Sequence, residues 1–69
     1  MELRPIAWLV TYSYMRVGGF QRFDMAVTER SPILFITDLI IKYPLSEHRL
    51  INAQPIVTEE ELKAIKAQI

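Results

Sequence analysis

The sequence predicts an α+β fold of the order β-β-α-β-α: a three-stranded antiparallel sheet with strand order 2-1-3, one helix packed on one face and a short C-terminal helix. Three observations predict it. Two runs of strand-forming residues meet at Gly18-Gly19, and glycine tolerates the positive φ that a tight hairpin turn requires. An apolar run then lies between Ser31-Pro32 and Tyr43-Pro44, punctuation that starts and stops a helix. A last strand-like segment runs into Thr58-Glu59-Glu60-Glu61, a capping box with carboxylates at the positive end of a helix dipole.

The first strand is expected over residues 6–17, rich in β-branched and aromatic side chains, and the second over 20–28. With Gly18-Gly19 as a two-residue loop, Val17 faces Phe20, Tyr14 faces Phe23, Tyr12 faces Met25 and Val10 faces Val27. That register gathers Trp8, Val10, Tyr12, Tyr14, Phe23, Met25 and Val27 on one face. It leaves Leu9, Thr11, Met15 and Ala26 on the other, with Ser13 opposite Asp24 and Met15 opposite Arg22. The helix carries Phe35, Ile36, Leu39, Ile40 and Tyr43 as an apolar stripe, with Ile33 at its edge. Leu34 and Ile41 fall instead among the polar positions Thr37, Asp38 and Lys42. Residues 45–48 read as a polar turn and 49–57 as a third strand, with Ile51, Ala53, Pro55 and Val57 on its apolar side. Pro55 lacks a donor for the ladder, which places that strand at an edge. A right-handed crossover then puts the aromatic first strand in the centre. In the last helix, Val57 and Leu62 have hydrophobic-staple spacing, and Lys63 is placed to pair with Glu59.

At 69 residues and 51% apolar, the chain reads as one small globular domain over 1–69. A domain this small buries only roughly 60% of the surface its unfolded chain exposes, and small folds usually add disulfides, metals or association. The absence of cysteine removes disulfides and thiolate sites, which leaves association. A formal net charge of zero gives no overall field toward nucleic acid or an anionic membrane. The N-terminal residues lack the pattern of a secretory signal, and no apolar run approaches the ~20 residues of a membrane span. A cytoplasmic setting is therefore expected.

Few residues carry chemistry. Trp8, Tyr12, Tyr14 and Phe23 could stack unpaired bases, but the apolar helix that follows makes them core. Arg16, Arg22 and Arg30 are the candidates for phosphate contact. Gly18-Gly19 is too short for a phosphate-cradling loop, and no lysine-serine or lysine-threonine pair follows it. His48 is the only histidine; it falls in the expected turn beside Glu47 without a second metal ligand. None of Ser13, Ser31 and Ser46 sits in a nucleophile elbow, and carboxylate catalysis would need a pair such as Asp24 and Glu29 in a cleft. No enzyme, cofactor or metal is expected. Apolar residues without an internal role often mark interfaces, so Leu34 and Ile41, then Met15 and Arg22, are the expected partner contacts.

The segment WLVTYSYMRVGGF, with LINAQPIVTEEE later in the chain, resembles short uncharacterised reading frames of phages and prophages. In these a W-x-V-x-Y-x-Y strand precedes a glycine turn and a phenylalanine. The resemblance carries no activity, cofactor or functional residue, but it implies a small accessory protein that binds a host component. The expectation is a non-catalytic protein-binding module, as a homodimer or on a host protein. The alternative is a nucleic-acid binder using Arg16, Arg22 and Arg30.

Overall fold

The computed structural model describes residues 4–16 and 18–69. The element order is β1 (Ala7–Arg16), β2 (Gln21–Thr28), α1 (Pro32–Lys42), β3 (Ser46–Ile56) and α2 (Glu59–Gln68). The sheet has the order β2-β1-β3, and β1 is antiparallel to both neighbours. The predicted class, order and central aromatic strand are all found, with Pro55 on an edge strand opposite Trp8.

The hairpin register differs from the expected one by a single residue. Gly19 N–H donates to the Arg16 carbonyl at 2.9 Å, which closes a turn over residues 16–19. Gly18 takes φ +78° there, left-handed backbone that glycine adopts without strain. Tyr14 therefore faces Arg22, Tyr12 faces Asp24 and Leu9 faces Val27. (Val17, expected opposite Phe20, lies outside the described residues.) Because side chains alternate with period two, a one-residue slip moves the whole apolar set of β2 to the opposite face. Phe23, Met25 and Val27 thus share a face with Leu9, Thr11 and Met15. Arg22, Asp24 and Ala26 join Trp8, Val10, Tyr12 and Tyr14.

Strand β3 begins three residues earlier than expected. Ser46 N–H donates to the Tyr43 carbonyl at 3.0 Å, so the turn is 43–46 with Pro44 at its second position, where proline's fixed φ fits. Residues 46–48 are already paired with β1, and His48 lies opposite Tyr14. A bulge follows: Thr11 pairs with Asn52 but Tyr12 with Leu50, leaving Ile51 unmatched and exposed. The extra residue reverses the alternation. His48 and Leu50 before it, and Ala53 and Pro55 after it, all stand opposite even-numbered residues of β1.

The helices lie on opposite faces. Helix α1 lies mainly over β3 on the even-numbered face of β1, with Phe35 edge-on to Tyr12 at 5.6 Å and Ile36 its buried residue. Helix α2 buries Leu62 against Ala7 and Ile56 on the other face, flanked by Leu9, Val27 and Ile65. The last helix thus packs on its own sheet but covers only one end of it.

The helix starts differ in how their free N–H groups are satisfied. Thr58 accepts from Glu61 N–H at 3.2 Å, the side-chain cap the capping box predicts. Ser31 makes no side-chain cap; its carbonyl accepts from Phe35 N–H at 3.0 Å, and Pro32 at the first position needs no partner. The expected Glu59–Lys63 pair is not among the ion pairs of the described residues, which are Arg30–Asp38 and Arg49–Glu47. Thr58→Ala should therefore cost about 1 kcal/mol in urea unfolding, whereas Ser31→Ala should change stability by only a few tenths of a kcal/mol. Equal costs at the two sites would contradict the capping difference.

Candidate functional site

Three surfaces stand out, and the first is a histidine–tyrosine cleft at the foot of α1. Alternation along β1 puts Tyr12 and Tyr14 on the α1 face, and the early start of β3 brings His48 beside them. The end of α1 supplies Leu39 and Tyr43. The His48 ring stacks on Tyr14 at 5.8 Å and on Tyr43 at 6.0 Å, and lies 6.3 Å from Tyr12. Arg16, Asp24 and Ser46 complete a cleft of about 260 Å³. His48, expected in a surface turn, is instead half-buried, and its Nδ1 is enclosed with no protein hydrogen-bond partner. Burial, and then the neighbouring Asp24 carboxylate, hold the Tyr12 phenol above its ordinary value of 10.0.

Chemically the cleft holds one imidazole, one carboxylate, one guanidinium, one aliphatic hydroxyl and three phenols. Glu29, the suggested partner of Asp24 for acid–base work, does not line it. Trp8, Tyr12 and Tyr14, expected as core, are only half-buried, and Phe23 is 66% exposed because the register carries it to the other face.

Two stability tests follow from this cleft. Tyr12 keeps its proton more tightly folded than unfolded. Its contribution is therefore whole below about pH 10 and is lost as pH rises through its raised folded value. Urea midpoints should accordingly fall less steeply above about pH 10 in Tyr12→Phe than in the parent; identical slopes would refute the assignment. Replacing His48 by Phe keeps a stacked ring and removes the unpartnered nitrogen, so His48→Phe should raise stability by about 1 kcal/mol. A loss of that size would show that the nitrogen is satisfied.

The second surface is the hairpin tip. Arg16 and Arg22, expected as phosphate contacts, line a cleft of about 310 Å³ with Tyr14, Gly19 and Phe20. Arg30 does not join them. Its guanidinium donates to Asp38 on α1, and its N–H donates to Thr28 Oγ1 at 3.1 Å. Phe20 is 89% exposed. The sequence reading treated it only as the start of β2, and the glycine turn immediately before it was the signal.

The third surface is apolar. Leu34 and Ile41 are exposed on α1, 48% and 72%; seven residues apart, they share one helical stripe. Met15 is exposed on the opposite side of the molecule, on the half of the sheet that α2 leaves open. The four expected contacts thus do not form one patch: Leu34 and Ile41 are on the helix, Arg22 on the α1 face of β2, and Met15 behind it. Phe23 and Met25, expected on the face beneath α1, lie instead on the same face as Met15.

Among the described residues no three His, Cys, Asp or Glu side chains converge as a metal site, and no helix is long and apolar enough to cross a membrane. Comparison with protein-family models, with curated proteins and with solved structures gives no match.

Proposed function

We propose that this chain is a non-catalytic protein-binding module whose apolar surfaces are completed by association. One observation carries the reading. Among the described residues fourteen large hydrophobic side chains are exposed, against five buried apolar residues, Ala7, Val10, Ile36, Ile56 and Leu62. The surface area agrees. A compact monomer of this mass exposes roughly 4,500 Å², and this chain exposes 5563 Å². Its radius of gyration, 13.4 Å, likewise exceeds the roughly 11 Å of a compact chain of this length. Apolar surface of this extent marks an interface.

Leu34 and Ile41 on α1 are the proposed contacts of one surface; Met15 and Arg22 belong to the hairpin. The resemblance to phage and prophage reading frames makes the proposed partner a cytoplasmic component of the host, which the module would regulate or inhibit. A second reading rests on the hairpin tip, where Arg16 and Arg22 flank Tyr14 and Phe20. Such a tip suits a single-stranded nucleic acid, with Phe20 for stacking and the guanidinium groups for phosphate.

Capture of a partner on the tagged chain separates the two. The protein-binding reading expects a specific protein retained after nuclease and in about 0.5 M salt, since apolar contacts are little screened. It also expects retention weakened about tenfold or more by Leu34→Glu or Ile41→Glu. Retention that vanishes with nuclease or salt, and that Arg16→Ala and Arg22→Ala abolish, would establish the nucleic-acid reading instead.

A further inference from the structure

The two edges of the sheet are not alike. The β3 edge is interrupted by the bulge at Ile51 and by Pro55, and α1 lies over that strand. The β2 edge, QRFDMAVT, has no proline, lysine or bulge, which are the devices that discourage edge pairing. Its exposed N–H and C=O groups form a template for another strand. We propose that β2 pairs antiparallel with β2 of a second copy of this chain, joining two sheets into one of six strands. This deepens the protein-binding reading, on which it rests.

The residues of β2 favour this partner and set the register. When a strand pairs antiparallel with its own copy about a two-fold axis perpendicular to the sheet, one residue faces itself and its neighbours face each other reciprocally. Centred on Phe23, Arg22 faces Asp24 of the second copy and Asp24 faces Arg22, giving two opposite-charge pairs on the α1 face. Centred on Arg22 or on Asp24, the same strands would set like charges face to face, which is destabilising. Neither Arg22 nor Asp24 has an ion-pair partner within the chain among the described residues. On the reverse face the Phe23 register sets Phe23 against Phe23 and Gln21 against Met25, covering apolar side chains that are now 66% and 47% exposed. Phe20, 89% exposed, comes opposite Ala26.

Sedimentation equilibrium of the full chain at micromolar concentration should give a dimer. Arg22→Asp and Asp24→Arg should each weaken it on the order of 10–100-fold, because each turns two attractive pairs repulsive. The double variant Arg22→Asp/Asp24→Arg should restore it, with circular dichroism confirming that all three remain folded. Phe23→Cys, in a chain without cysteine, should form an intermolecular disulfide on mild oxidation, since opposed residues meet the required Cα spacing; Met15→Cys on the central strand should not. A monomeric parent chain, or charge reversals without effect, or a double variant that stays weak, would overturn the edge pairing. A monomeric parent that still retains a protein partner would overturn this pairing alone and leave the binding module standing.

Discussion

A single hydrogen bond, from Gly19 N–H to the Arg16 carbonyl, closes the hairpin and sets which side chains of β2 face which side of the sheet. With Gly18 at φ +78° and Gly19 bonded back to Arg16, Tyr12 faces Asp24 and Tyr14 faces Arg22. That pairing sends Arg22 and Asp24 to the face under α1 and Phe23, Met25 and Val27 to the face under α2. Each face then has apolar residues at one end and an incomplete cover. Helix α1 sets Phe35 against Tyr12 but lies mainly over β3, and α2 reaches only the Ala7–Ile56 end. A register slipped by one would have put the aromatic side chains together beneath α1 and left the other face nearly polar.

Small size makes this division consequential. A chain of 69 residues, 47 Å in its longest dimension, has too few helices to cover both sides of its three-stranded sheet. Each large side chain fully buried contributes about 1.5–3 kcal/mol, and among the described residues only Val10, Ile36, Ile56 and Leu62 of the larger aliphatics are buried. Phe20, Phe23, Met25, Ile33, Ile41 and Leu45 make no comparable contribution within one chain. Association is the available way for them to do so, consistent with the absence of disulfides from a cysteine-free chain.

Much of the fold was legible in the sequence because its boundaries are set by residues with a local physical effect. Pro32 and Pro44 bracket α1, Thr58 caps α2, Gly18 marks the hairpin and Pro55 marks an edge. The register was not legible. Gly18-Gly19 serves a loop that begins after Arg16 as readily as one that begins after Val17, and both choices give β2 an alternating pattern. The start of β3 was hidden because Ser46-Glu47-His48 is polar and follows a proline, and only pairing with Met15 and Tyr14 makes it a strand. The bulge at Ile51 left no local signal, since it arises from how β3 meets β1. For the candidate sites the consequences were direct. His48 moved from a turn into an aromatic cleft, Phe23 moved from core to surface, and Arg30 lies beyond the far end of β2 from Arg16 and Arg22, paired with Asp38. Leu34 and Ile41 are exposed where the helical wheel placed them, but Ile40 and Tyr43, which the same wheel put on the buried stripe, are exposed as well because α1 lies over one edge of the sheet.

The central claim is that folding of this chain is completed by covering apolar surface between molecules. Urea unfolding measured over a hundredfold range of protein concentration tests it most directly, because binding that favours only the folded state makes the midpoint depend on concentration. The account predicts a midpoint that climbs steadily with protein concentration. A midpoint that stays fixed across that range would show that one chain is sufficient by itself and would contradict the account.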